Sequence, residues 1–377
     1  MFSRTNTGKT AIAAATALTV LLLAGCQSGD TATTTTSSGS SELVEDAKAR
    51  VAAAQAPVEV GAPEESPPVQ EGKFVVLVTC SLASEGCAQP AKAAEEAAEA
   101  IGWKVQIIDG KDTADSQNAA VQQALALGPD GIITFAINPA SIQGSLELAR
   151  SQGVKVIASS AADSDLVDFS DIPSAQTWVD SGALLADYAI AETDGKVKAL
   201  VLHDTGFDVL EPQHQAFVDR LDECGTCEVL EDQNFTFADL ATSVPRLVQQ
   251  MAQRHPDFNT FYIDYDYAVP SVLQGLRAIG ADGKVVLGSD GTSAAIQLIR
   301  DGGGQSATTA YALAWIGWAD IDAMNRIFAG ESPDPASAVL TRKLIDQQVA
   351  LDQDIDGLWD GDVDFKSEYL DMWGIDQ

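Results

Sequence analysis

From Phe74 onward, short uninterrupted apolar runs alternate with longer segments whose apolar residues recur at helical spacing. Phe74–Thr79 precedes an Ala-rich stretch over Gln89–Ile101, Lys104–Ile108 precedes Asp115–Leu127, Gly131–Ala136 precedes Ala140–Gln152, and Val154–Ala158 closes the series. An apolar run without polar alternation suits a strand buried on both faces, and a helix after each strand supplies the cover. The pattern therefore predicts a parallel sheet sandwiched between helices. A long helix is predicted over Ser174–Glu192. The alternation then restarts, with strands at Val197–Leu202, Glu228–Glu231, Asn259–Ile263 and Lys284–Leu287. Helices are predicted near Leu210–Glu223, Phe237–Arg254, Val269–Ile279 and Ser293–Asp301. Two such series predict two α/β lobes rather than one large core. Ligands of these sheets sit at the carboxyl ends of strands, so lobes facing each other there would enclose a cleft.

The chain opens on a different pattern. Arg4 and Lys9 precede a run from Ala11 to Ala24 without a charged residue, short for a membrane span and suited to an export signal. Leu23-Ala24-Gly25-Cys26 resembles the bacterial lipobox, which implies a signal peptide over 1–25, cleavage before Cys26 and a lipid on its thiol. Thr31 to Ser41 is almost all Thr, Ser, Gly and Ala and is expected to stay extended and mobile. Glu42–Ala56 can form a helix with Leu43, Ala47 and Val51 on one side, after which Pro57, Pro63, Pro67 and Pro68 interrupt regular structure up to Lys73. Residues 26–72 are thus expected to form a lipid-anchored flexible tether with a short Ala-rich helix.

Charge narrows the partners. The chain carries 22 Lys and Arg against 55 Asp and Glu, a net charge of −33. Loss of Arg4 and Lys9 with the signal peptide makes the balance more negative still. Nothing forms a cationic footprint for a phosphate backbone, which argues against a nucleic-acid partner. Of the five cysteines, Cys26 is assigned to lipid. Cys80, Cys87, Cys224 and Cys227 remain, and their even number and short spacings favour the local disulfides Cys80–Cys87 and Cys224–Cys227. Other pairings, or zinc held by the two cysteine pairs, would use the same residues. There is no Walker loop, no G-x-G-x-x-G turn and no G-x-S-x-G elbow, and His203, His214 and His255 lack tight metal-ligand spacing. No catalytic residue, metal or cofactor is expected.

Four segments carry a family likeness: Gly131-Ile132-Ile133 leading into Ile137-Asn138-Pro139-Ala140, then Gly153-Val154-Lys155-Val156-Ile157, Gly275-Leu276-Arg277-Ala278 and Gly288-Ser289-Asp290-Gly291. In this order and spacing, residues 73–377 resemble the periplasmic-binding-protein type I superfamily, in the ribose-binding-protein-like branch that serves ABC sugar importers. The resemblance implies two Rossmann-like lobes with parallel sheets, joined by a multi-crossover hinge around a central cleft. It implies extracytoplasmic capture of a small polar solute and delivery to ABC permease subunits. A ligand-sensing receptor for a signalling partner is the alternative use of the same clamshell. The tethered Ala-rich helix followed by prolines resembles lipoproteins of Gram-positive actinobacteria, anchored to the cell membrane through Cys26. The protein is expected to act as a monomer. With crossovers near 171–173, Tyr311 and 333–336, the lobes divide as 73–172 plus 312–335 and 173–311 plus 336–377.

The resemblance assigns ligand hydroxyls to Asn138 and Asp290. Asn138 lies between a strand and a helix opened by Pro139, where its amide can read a ligand or cap that helix. Asp290 is placed alike, able to accept two hydroxyls or to cap the helix near Ser293. Elsewhere the sequence departs from sugar-binding relatives. Ala158-Ser159-Ser160 stands where they place Asp, Asp208-Val209-Leu210-Glu211-Pro212 where they present Arg, and Ala307-Thr308-Thr309-Ala310 leads to Tyr311 where Gln is frequent. Loss of the Asp–Arg clamp argues against ribose or a hexose. A mixed aromatic and hydroxyl pocket is expected instead, drawn from Ser159, Ser160, Phe207, Asp208, Asp264, Tyr265, Asp266 and Tyr311. It would suit a modified sugar, a polyol or another small polar solute with an apolar face.

Overall fold

The two predicted series fold into two lobes. In the computed structural model, which describes residues 36–58, 61–172, 176–333 and 342–375, helix α1 (Thr36–Gln55) precedes the first sheet. That sheet comprises β1 (Phe74–Thr79), β2 (Lys104–Asp109), β3 (Gly131–Phe135), β4 (Lys155–Ala162) and β5 (Phe169–Ile172), all parallel in the order β2-β1-β3-β4-β5. Helices α2 (Glu85–Ala100), α3 (Ala114–Ala126) and α4 (Gln143–Gln152) connect its strands. Four valines and leucines of β1 are fully buried, so this strand forms the centre of the lobe.

Helix α5 (Gln176–Glu192) leads into the second sheet. Its parallel strands are β6 (Lys198–Asp204), β7 (Glu228–Phe235), β8 (Thr260–Ile263), β9 (Val285–Asp290) and β10 (Ala307–Tyr311). They repeat the first order as β7-β6-β8-β9-β10, and antiparallel β11 (Arg342–Asp346) extends the far edge. Helices α6 (Leu210–Cys224), α7 (Val244–Arg254), α8 (Val269–Ala278) and α9 (Ser293–Arg300) cover it. Pro245 lies in the first turn of α7, which therefore begins later than the apolar pattern suggests, after a 3-10 turn at Phe237–Asp239.

After β10 the chain leaves its sheet. Helix α10 (Leu313–Ala329) packs on α2 of the first lobe, so closely that a Cβ on Gly317 would lie 2.3 Å from the Pro90 carbonyl oxygen. Helix α11 (Gln347–Asp352) returns to α9. Helix α12 (Phe365–Trp373) then stacks on α10, with Trp315 against Phe365 at 4.9 Å and Trp318 against Trp373 at 5.6 Å. Residues 365–373 thus pack with the first lobe, where everything after 336 was expected to remain with the second. The aromatic face of α10 supplies the reason, since it needs a second apolar face to leave water.

The expected mobile tether is docked over much of its length. Helix α1 begins within the stretch expected to stay extended, and Val44, Ala47 and Val51 join the buried cluster of Leu184, Tyr188 and Phe217 on the second lobe. Arg50 Nε pairs with Asp187 Oδ2 at 2.7 Å, and Arg220 links Asp187 Oδ1 (2.6 Å) to Asp46 Oδ2 (3.0 Å). The proline-rich stretch then runs along the first lobe. The Ala62 amide donates to Glu368 (2.6 Å), Ser66 Oγ to Asp322 (2.5 Å) and the Gln70 amide to Asn325 (2.9 Å). Proline-rich backbone lacks a ladder of its own, and these side chains supply the partners it needs. Residues 1–25 and Cys26 lie outside the described residues. No described helix is long and apolar enough to cross a membrane.

Both cysteine pairs are local disulfides. Cys80 and Cys87 have Cα atoms 5.8 Å apart, and Cys224 and Cys227 5.5 Å apart. The first ties the end of β1 to the opening turn of α2, beside the cleft.

Candidate functional site

The carboxyl ends of both sheets meet across a cavity of ≈ 640 Å³, counting its open mouth. The first lobe contributes Ser84, Gly86 and Cys87 from the β1–α2 connection, Ala136 after β3 and Ser160 of β4. The second contributes Phe207, Val209 and Leu210 after β6, Phe237 after β7, Tyr265 after β8, Asp290 of β9 and Tyr311 of β10. Trp178 of α5 and Leu313 and Ile316 of α10 complete the wall. Every strand connection that enters is a loop at a carboxyl end, because only there can parallel strands present side chains beyond the sheet.

Three wall residues, Ala136, Ser160 and Asp290, hold left-handed backbone conformations, with φ of 51°, 50° and 102°. Such geometry costs of order 1–3 kcal/mol for a residue with a Cβ and tends to collect at ligand sites. The lobes also touch at the rim. Glu85 of α2 reaches the first turn of α9, accepting from the Ser293 amide (2.6 Å) and hydroxyl (2.8 Å). A carboxylate from one lobe thus caps a helix of the other and holds that edge closed.

Two aromatic groups face the cavity. Phe207, Phe237 and Tyr265 pack with ring centroids 6.1 Å apart, and Trp178 lies 5.1 Å from Tyr311. The Tyr265 hydroxyl donates to Asp204 Oδ2 at 2.6 Å. Burial pushes the Tyr311 hydroxyl up to about 12, so it stays a neutral donor. Asp290 is the acid of the wall. Burial, followed by the nearby Asp266 and Asp264 carboxyls, raises its pKa well above the usual carboxylate range. No Lys or Arg stands among the wall residues.

Of the residues singled out in the sequence, Ser160, Phe207, Tyr265, Asp290 and Tyr311 lie in this wall. The others lie elsewhere. Asn138 caps the 3-10 turn after β3, its Oδ1 accepting from the Ala140 amide at 2.8 Å. Ser159 is buried in β4 beside Ser160, and Asp208 points to solvent. Asp264 is fully buried, its Oδ2 taken by the Asp204 amide (2.6 Å) and His203 Nδ1 (2.9 Å). Asp266 gathers the amides of Gly291 (2.8 Å) and Thr292 (3.1 Å), the Thr308 hydroxyl (2.9 Å) and Gln305 (2.6 Å), so it fixes the turn after Asp290. An acid after a strand looks the same in sequence whether it faces a ligand or braces the next loop. Phe237 was recoverable by the signal that marks Phe207, an aromatic just past a strand end. Trp178 was not, because a mid-helix Trp is more often core.

Residues 75–332 match the family described as a periplasmic binding protein domain. The chain belongs to that family. It is a solute-binding protein rather than an enzyme, working outside the cytoplasm, and its disulfides suit that compartment. No curated protein matches its sequence. Among solved structures, the chain is similar in fold to an ABC transporter solute binding protein from Mycobacterium smegmatis with bound glycerol, at 19% identity and a TM-score of 0.66, covering 78% of this chain and 100% of that one. An Agrobacterium vitis solute binding protein with bound allitol gives 18% and 0.63, covering 75% and 98%. A 5-methylthioribose transporter solute binding protein from Thermotoga lettingae, in complex with that sugar, gives 15% and 0.66, covering 81% and 94%.

Proposed function

We propose that this binding protein captures a small uncharged polyol or modified sugar with an apolar face and passes it to an ABC permease. The observation that carries the reading is the wall itself: five aromatic rings and several aliphatic side chains around one half-buried acid, with no cation beside it. Aromatic faces stack on C–H surfaces, while Asp290, Ser160, Ser84 and the tyrosine hydroxyls serve a few polar groups. An anionic solute would lack a counter-charge. A ribose or glucose would leave hydroxyls unpaired against the aromatic side, at roughly 1–3 kcal/mol each. The relatives solved with glycerol, allitol and 5-methylthioribose support this class of ligand. In this reading Cys26 carries the lipid that keeps the receptor beside its permease, and the protein acts as a monomer. Asp290, Tyr265, Phe207, Tyr311 and Ser160 contact the solute.

Calorimetry against glycerol, linear polyols, 5-methylthioribose, ribose, glucose and a quaternary ammonium compound tests the proposal. Micromolar or tighter binding of a polyol or substituted sugar is expected, with ribose and glucose at least a hundredfold weaker. Preference for unmodified glucose or ribose, or for the ammonium cation, would overturn it.

A further inference from the structure

Behind the cavity wall the fold collects three groups that are scattered in sequence. His203 at the end of β6, His214 on α6 and Asp264 after β8 are all buried, and each offers a ligand atom within 4.8 Å of the others. The two imidazoles stack at 4.4 Å between centroids. Their outer nitrogens are held alike. His203 Nε2 meets Glu211 at 3.0 Å, and His214 Nε2 meets Asp232 at 2.9 Å. A carboxylate on one ring nitrogen fixes the tautomer and leaves Nδ1 as the inward group, the usual support of a metal-bound histidine.

The inward side is only partly satisfied. His203 Nδ1 lies on Asp264 Oδ2 at 2.9 Å. His214 Nδ1 and Asp264 Oδ1 are buried atoms without a hydrogen-bond partner. Two such buried atoms are costly unless something supplies them, and a cation held among the three side chains would supply what they lack. We propose that His203, His214 and Asp264 form a binding site for a divalent transition metal of the zinc type. Nδ1 of both histidines and a carboxylate oxygen would be the ligands, with one position left for water. Imidazole and carboxylate donors suit zinc, and bonds near 2.1 Å would draw the ligand atoms to roughly 3.4 Å apart, which requires the stacked imidazoles to turn until each ring plane contains the ion. Binding displaces the proton from His203 Nδ1 and leaves the outer nitrogens bonded to Glu211 and Asp232.

The ion would brace the wall of the binding cavity. Asp264 also accepts from the Asp204 amide, and Asp204 accepts from Tyr265, whose ring faces the cleft. The spacing of the histidines along the chain conceals the site, because only the pairing of β6 with β8 and the packing of α6 on β6 unite them.

The test is zinc titration of the full-length oxidised protein after chelation, by calorimetry and equilibrium dialysis, followed by cobalt substitution. One zinc per chain is expected, with a tetrahedral cobalt absorption band in the visible. His214→Gln and His203→Gln should weaken binding at least a hundredfold. Asp232→Asn alters an exposed side chain, should fold normally, and should weaken binding about tenfold through loss of the outer support. Failure of the wild-type protein to take up one zinc would overturn the proposal. So would equal zinc affinity in folded Asp232→Asn and in either folded histidine variant. If a histidine variant does not fold, Asp232→Asn and the cobalt spectrum decide.

Discussion

Asp290 is the residue at which stability and binding should oppose each other. Its carboxyl is half-buried in the cavity wall, near the Asp264 and Asp266 carboxyls, and no cation compensates it. Replacing it with Asn preserves size and tolerance of the left-handed backbone at φ 102°, which alanine would not. The sign follows from the raised folded value. Below the unfolded carboxylate value near 3.9 both states are protonated and the acid costs nothing. As pH rises past it, the unfolded chain ionises while the folded one resists, and the penalty grows up to the folded value. At pH 7 the penalty is comparable to leaving a buried polar group unpaired, on the order of 1–3 kcal/mol. Asp290→Asn should remove it and raise the midpoint of the free protein by about 1–4 °C at pH 7. The gain should shrink towards zero at pH 4. The same change should weaken solute binding about tenfold, since an amide offers one acceptor oxygen where the carboxyl offers two oxygens. Thermal unfolding by circular dichroism at pH 4, 5.5 and 7, paired with calorimetry on the best ligand, reads both effects. A variant no more stable than the parent at pH 7, or equally stabilised at pH 4, would refute the account of an uncompensated acid.

Gly86→Ala should hinder closure, because an ideal Cβ there would lie 3.0 Å from Asp290 Oδ2 across the cleft. A fall in solute affinity of about tenfold, about 1.4 kcal/mol, with an unchanged melting midpoint is expected from calorimetry and thermal scans. Removing the Cys80–Cys87 bridge by double serine substitution frees the loop that carries Ser84, Glu85 and Gly86. The chain-entropy relation gives a loss of ~2.5 kcal/mol for so short a loop, and urea unfolding should show it together with weaker binding; no loss of stability would deny the bridge a structural role.

The alternation of apolar strands and amphipathic helices was legible because strands buried on both faces have little choice of composition. β1, β3 and β6 carry that signal, and so does the repeat of one strand order in both lobes. β11 carries none. It reads Arg342-Lys343-Leu344-Ile345-Asp346, and Lys343 is fully buried because Asp362 and Gln353, beyond the strand, receive its ammonium at 2.9 Å and 2.6 Å. No local pattern announces a charge whose partners arrive from another turn of the chain. Helix α1 shows the same limit from the other side. Its apolar stripe was visible, but Asp187 and Arg220, which fasten it to the second lobe, are far away in sequence.

At the site, the sequence located the strand ends, and with them Phe207, Tyr265, Asp290 and Tyr311. It could not tell which of several strand-end acids faces the cleft, because Asp264, Asp266 and Asp290 differ only in what surrounds them. Tertiary packing gives Asp264 to His203, Asp266 to the turn after β9 and Asp290 to the cavity. By itself, then, the sequence determined the class of fold and the places where loops converge, and it favoured the two local disulfides, all consequences of short-range patterning. Which groups face the ligand, which histidines meet and which segments straddle both lobes were decided only when distant strands paired, since hydrogen bonds and burial act through space rather than along the chain.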